Sequence, residues 1–332
     1  MKYWPSCLLL VLTLLAQEAP AQSNTGKSAQ GTKGTQWPQR PVRVVVPFPA
    51  GGSTDIIARL VSPHLTEEFG QQFIVDNRSG AGGTIGAEIA ARATPDGYTV
   101  AVIPSSYAGA AALYPLSFDP VKGIAPISMI GTGSFILGVH PSVPAQNFKA
   151  LIDLLKAKPG ALNFASPGTG STPHLASELL KQMAGVNFVH VPYKGDTPAL
   201  TDLLAGQMHM QIASGPVYVP HIKAGKVRAV AVTASKRYFL FPELPSIAES
   251  YPGFHAIGWN GMIAPAGTPR DVLSFISAET ARALKHPDIV ARLPSWGGDA
   301  VGSTPETFAA RYRGDIAKLS KVVAEAKIPL QE

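Results

Sequence analysis

Cysteine is all but missing. Cys7 is the only one among 332 residues, and it sits in the N-terminal segment. A chain without that segment has no disulfide, no thiol nucleophile and no cysteine metal ligand. A domain of about 300 residues buries enough core to do without disulfides. Charge is sparse too, at 15% of residues against about a quarter in average proteins. The net charge is +6, but the basic residues are scattered, with no Lys/Arg stripe and no aromatic–basic interleaving. A nucleic-acid-binding face would be clustered, so that class of partner is excluded. No apolar run reaches the roughly 20 residues a membrane-spanning helix needs. The sequence also lacks a G-x-S-x-G elbow, an H-E-x-x-H pair and a calcium loop. His209, His221 and His255 have no partner at metal-ligand spacing. Neither a metal nor a cofactor is expected.

The N-terminus reads as a secretory leader. Lys2 precedes an apolar run of ten residues, Cys7 to Ala16, and Ala19-Pro20-Ala21 has the small-x-small form of a cleavage site. Cys7 opens the run, where a lipid-bearing cysteine would not sit. Residues 22–36 are Gly, Ser, Thr, Ala, Asn, Gln and Lys, with no large apolar residue. They read as a flexible tether. Gly26-Lys27-Ser28 mimics the end of a phosphate-binding loop, but Ala21 stands where that loop requires glycine.

What the chain has in quantity is glycine and proline, 32 and 30 residues, arranged at strand-to-helix junctions. Val42 to Val46 reads as a buried strand. Pro47-Phe48-Pro49-Ala50-Gly51-Gly52 must bend sharply, since adjacent glycines accept positive φ and the prolines fix theirs. Ser53 or Thr54 is a natural N-cap for a helix over about 54–69. Similar junctions fall at 79–86 and 166–174. Each leaves backbone N–H groups and the positive end of a helix dipole at the carboxyl end of a strand, which suits an anion. Gly80-Ala81-Gly82-Gly83-Thr84-Ile85-Gly86 is not a dinucleotide fingerprint, because Ile85 occupies its sixth position.

Short β-branched runs alternate with helical periodicity, which predicts an α/β fold with a largely parallel sheet. Strands are expected near 73–75, 98–103, 162–165, 188–191, 210–212, 228–233 and 256–264. Helices are expected near 84–93, 148–156, 173–184 (capped by Thr172), 197–205, 269–284 and 305–325. The long apolar stretch Ile127 to Val139 is suited to crossing between two lobes, and Arg228 to Thr233 to carrying the chain back. The expected lobes are 37–138 with 241–332, and 139–240. Asp55 either complements the dipole of its helix or receives a ligand amine or hydroxyl. His174 offers a structural hydrogen bond or a ligand contact. Tyr193 and Lys194 stand at a strand end, Lys194 reading as solvated.

Several segments resemble the Bug-type receptors, the extracytoplasmic solute-binding proteins of tripartite tricarboxylate transporters. These are Pro47 to Asp55, Asn77-Arg78 with Gly80 to Gly86, and Pro95 to Thr99. Ser171 to Leu175, His190 to Gly195, Pro198 to Leu204 and Ala264 to Pro269 add to them. The resemblance covers nearly the whole chain after the leader. It implies a type II periplasmic binding protein fold, with two α/β lobes joined by crossing strands around a ligand cleft. It implies capture of a small organic carboxylate, no catalysis, a monomer and a membrane permease as partner. Carried onto this chain, the ligand-binding residues are Phe48, Ala50, Gly51, Gly52, Ser53, Thr54, Asp55, Ser105, Ser106, Gly168, Thr169, Gly170, Ser171, His174, Tyr193 and Ser214. The chain departs from the family at Ala213, usually aspartate, and at Asn260, often tyrosine. Loss of that aspartate disfavours an amine-bearing ligand. A secreted enzyme acting on a carboxylated substrate, or a binding protein without a transport partner, are the alternatives.

Overall fold

The computed structural model describes residues 37–325 together with Met1, Leu330 and Gln331. The expected cleavage site and tether lie outside the described residues. In chain order the first half holds β1 (Val42–Val46), α1 (Ser53–Phe69), β2 (Phe73–Asn77), α2 (Thr84–Ala91), β3 (Thr99–Pro104) and α3 (Ser106–Leu113). The 16-residue strand β4 (Ile124–Val139) then runs into the second half. There follow α4 (Phe148–Ala157), β5 (Asn163–Ser166), α5 (Thr172–Ala184), β6 (Val189–Pro192) and α6 (Asp196–Leu204). The second half closes with β7 (Met210–Ser214), α7 (Gly215–Lys223), β8 (Arg228–Val232) and α8 (Ile247–Ser250). Strand β9 (Ile257–Pro265) returns the chain, and α9 (Arg270–Ala283), α10 (Pro287–Val290) and α11 (Pro305–Glu325) complete it.

Strand order is β2-β1-β3-β9-β4-β7-β5-β6, with β8 also on β4. β4 is shared: Ile124 to Ser134 pair antiparallel with β9, whereas Phe135 to Val139 pair with β7. β3 and β8 also pair antiparallel, with β9 and β4, and the remaining pairs are parallel, β2-β1-β3 in the first half and β6-β5-β7 in the second. The valine run of β1 reflects burial on both faces. Val42, Val44 and Val46 join Val100 and Val102 beneath α1 and α9. Val45 joins Ala101 and Ile103 on the opposite face, against Phe308 and Tyr312 of α11. The period of two assigns alternate residues to the two layers.

Three expectations need correction. β8 does not carry the chain back. Its Val232 N–H bonds the Pro245 carbonyl, Ser246 caps α8, and Ile247 and Phe254 are buried in the second half's core. The return comes only at β9, so residues 241–256 pack with the second half. Helix α1 is capped by Gly52, not Ser53 or Thr54, and α5 by Ser171, whose Oγ accepts from the His174 N–H, not by Thr172. Two helices have no periodic signal in the sequence. The Ala/Gly-rich α3 is buried over most of its length, and α7 contains Pro216 and Pro220.

Candidate functional site

Five helices begin at one cavity between the halves. Its wall includes Ser53 and Thr54 of α1, Ser105 and Ser106 at the start of α3, and Pro173 of α5. Asp196 of α6, and Ser214 with Pro216 at the start of α7, complete that ring. Gly131, Thr132, Gly133 and Phe135 of β4 and Gly258, Trp259 and Asn260 of β9 form the back. Phe48, Ile57, Pro104 and Pro167 add apolar surface. The space is about 630 Å³ including its open mouth. Among the described residues, no lysine or arginine lines it. The electropositive character is that of the helix ends, each equivalent to roughly half a unit charge.

The halves touch across this cavity. Thr197 Oγ1 donates to the Ala50 carbonyl at 2.9 Å, Ser105 and Thr172 hydroxyls lie 3.0 Å apart, and the Thr172 N–H meets Ser106 Oγ at 3.2 Å. Gly109 on α3 and Gly170 before α5 abut so closely that a Cβ on Gly109 would stand 2.1 Å from the Gly170 carbonyl oxygen. A side chain there would hold the halves apart.

The bare amides expected at the first and third junctions are not bare. Gly51 N–H bonds Asp55 Oδ2 at 2.9 Å, and Gly52 N–H bonds the Pro49 carbonyl at 3.3 Å. The Ser53 amide lies close enough to the Asp196 carboxylate to favour its charged form. In the third loop Gly168 N–H goes to Ser166 Oγ, Gly170 N–H to His174 Nδ1 and Ser171 N–H to the Gly168 carbonyl. The loop amides donate to acceptors of neighbouring side chains and carbonyls, because a buried N–H without a partner is costly. What the helix ends offer is therefore mainly their field, with hydroxyls for direction. Ser214 is only 9% exposed, and its Oγ has no hydrogen-bond partner; nor does the buried Asn260 Oδ1.

Among the expected residues, Phe48, Ser53, Thr54, Ser105, Ser106 and Ser214 line the cavity. Gly168, Thr169 and Tyr193, with Lys194, line a second, more open hollow of about 810 Å³ beyond Phe48 and Pro167. The Tyr193 hydroxyl is committed to Asp202 at 2.6 Å. Ala50, Gly51, Gly52, Asp55, Gly170, Ser171 and His174 line neither space. Asp55 is a brace: it is buried, and its Oδ1 accepts from Arg59 Nε and Asn77 Nδ2, both at 2.9 Å. Burial would raise its pKa, but the Gly51 amide, Arg59 and Asn77 outweigh burial and hold it below the ordinary value. His174 stacks on His190 with ring centres 4.0 Å apart. Desolvation lowers the pKa of both, that of His190 to about 3, so the pair is neutral. Ala213 is buried among Ile136, Leu203, Val217 and Tyr218, in the core and off the cavity wall.

Asp196 is the residue that sequence reasoning misses. Its signal is an acid directly after Tyr193-Lys194-Gly195 at a helix start, but first-turn acids are commonplace. Only the meeting of the first turn of α6 with the loop before α1 brings it to the cavity. Desolvation pushes its pKa up to about 6, with the Ser53 amide pulling the other way. Trp259 is a second such residue. It is buried at the back wall, with Nε1 held by Asp315 of α11 at 2.7 Å.

A cavity between two sheet-and-helix halves that share two strands is the design of a solute-binding protein. The comparisons with known proteins agree. Residues 57–327 match the model of the tripartite tricarboxylate transporter family receptor, and the chain belongs to that family. BugT of Bordetella pertussis is 34% identical over 299 residues, covering 89% of this chain and 92% of BugT. The R. palustris protein Rpa4515, solved with adipate, is 35% identical with a TM-score of 0.84, over 88% of this chain and 99% of its own. MatC from Rhodopseudomonas palustris, solved with bound malate, is 32% identical with a TM-score of 0.81, over 86% and 100%.

Proposed function

We propose that this chain is an exported receptor that captures a small organic carboxylate and delivers it, unaltered, to a membrane permease. The observation that carries the reading is the convergence of five helix N-termini on one cavity that, among the described residues, no lysine or arginine lines. Each such terminus contributes about 0.3–1 kcal/mol to holding an anion, and up to ~2 when partly buried. Ser105, Ser106 and Ser214 give the anion directional donors. The adipate and malate carried by two relatives support the same class of solute. Residues 1–21 direct export and 22–36 tether the receptor.

Capture proceeds by closure. The open form admits the solute, and the halves pivot on β4 and β9. The closed form is favoured by the contacts the solute makes with both halves. The ligand-binding set we assign is Phe48, Ser53, Thr54, Ser105, Ser106 and Ser214 in the cavity, with Gly168, Thr169 and Tyr193 at the outer hollow. The remaining residues of the first and third loops shape it from behind.

The test is a thermal-shift screen over mono-, di- and tricarboxylates and amino acids, with a chelator present. A saturating specific ligand raises the melting temperature by mass action. Recovery of the acid unchanged from the complex, and loss of its uptake by cells lacking the receptor, complete the expected result. No shift with any carboxylate, or conversion of the bound acid, overturns the reading.

A further inference from the structure

The cavity already contains a carboxylate, and it belongs to the protein. Asp196 opens α6 in one half and lines the cavity, with its Cβ 4.0 Å from where a Cβ on Gly52, the N-cap of α1 in the other half, would stand. Asp196 thus sits beside the start of α1 across the cleft, in a place where an incoming anion would sit. A carboxylate has about four lone-pair sites, which leaves it capacity to accept donors from a solute. Among the described residues, the wall of the cavity supplies no cation to neutralise it. The ionisable group that acts on it from the packed elements is the phenol of Tyr218, itself turned to the Gln211 carbonyl. Ser53, Thr54 and Thr197 beside it are uncharged.

A second acceptor stands in the same wall. Asn260 Oδ1 is buried without a hydrogen-bond partner. Opposite in kind is Ser214 Oγ, buried and unpartnered at the N-cap of α7, with a hydroxyl proton to give. A solute that completes this wall must bring donors to Asp196 and Asn260 and an acceptor to Ser214. Buried polar groups left unpaired cost more than a paired group gains, which is what makes such a wall selective.

Resting on the receptor reading above, we infer that the solute is an amino-carboxylate: its ammonium group faces Asp196 and Asn260, and its carboxylate lies at the α3 and α7 helix ends with Ser105, Ser106 and Ser214. Asp196 is then a specificity-determining residue. It replaces one solute carboxylate with a protein one and repels a second negative charge at that end.

The experiment is calorimetric titration of the full mature chain at pH 7.5 with matched pairs: aspartate and succinate, glutamate and glutarate, 2-aminoadipate and adipate, 6-aminohexanoate and hexanoate. The wild type is expected to bind the amino member of at least one pair tenfold or more tighter than its partner. Asp196→Asn keeps the shape and removes the charge, and is expected to reverse or abolish that preference by at least tenfold. Asp196→Gly provides a second variant should the first fold poorly, and the wild-type preference alone needs no variant. Tight binding of the amine-free members, with selectivity unchanged in Asp196→Asn, overturns the inference and leaves the receptor reading standing. Binding of no member by any of the three proteins overturns both.

Discussion

The first turns of α1 and α6 each carry an aspartate, and the two are treated in opposite ways. Asp55 lies inside its own half. It is surrounded by the Gly51 amide, Arg59 and Asn77, and is held charged. Asp196 faces the other half. Among the described residues only the Ser53 amide favours its charge, no cation does, and desolvation works against it. Both sit where a helix dipole welcomes an acid. The dipole does not separate them; the number of donors does. An acid with several donors within one half is part of the scaffold. An acid with one donor, reached only across a cleft, is exposed to whatever enters that cleft.

The sharpest way to break this comparison is to remove the brace. Asp55→Ala strands the Gly51 amide and the Asn77 side chain and frees Arg59 to solvent. Each buried donor left without its acceptor costs about 1–3 kcal/mol, so a large fall in the urea midpoint is expected. An unchanged midpoint would assign Asp55 to the ligand side after all.

Asp196 should respond with the opposite sign. Its folded pKa, about 6, is raised above the ordinary 3.8. A raised acid favours the fold most when protonated. Its contribution is therefore complete below about pH 4 and lost as pH rises through about 6. Asp196→Asn, measured without ligand, should match the wild type near pH 4 and exceed it at pH 7.5. The expected gain is roughly 1–3 kcal/mol, because each tenfold change in acidity between the folded and unfolded chain is worth about 1.4 kcal/mol. Asp55, held low, works in reverse: its contribution is present above 3.8 and lost as pH falls through its depressed value. Parallel pH–stability curves for wild type and Asp196→Asn would remove the contrast. The smallest effect is expected at Lys194, at the rim of the outer hollow and exposed to solvent. Lys194→Ala should change ligand affinity by less than about 1 kcal/mol, as solvated surface charges do. A larger loss would add Lys194 to the ligand-binding residues of the outer hollow.

Much of the architecture is legible along the chain, because its signals are local. The valines of β1 and the alternating helices mark an α/β fold. Gly70 ends α1 in the left-handed conformation that glycine permits. The length of β4 marks a crossing strand. The return strand is easily mistaken because β8 and β9 are both short apolar runs. Which one crosses depends on where Ile247 and Phe254 find a core. Helix α3 is invisible because a helix buried on nearly every side has no polar face to set a period.

The site divides along the same line. Residue type and position along the chain determined that helices would begin at glycine-rich turns and that Ser53 would stand at one of those beginnings, whereas Ser105 and Ser106 could be placed only at the end of a strand. Those are properties of a few consecutive residues. Tertiary structure alone decided which beginnings meet, which amides are already taken, and that an aspartate from α6 stands beside the start of a helix in the opposite half. Hydrogen bonds and burial are settled by neighbours in space, and for Asp196 the decisive neighbour, Ser53, comes from the other side of the cleft.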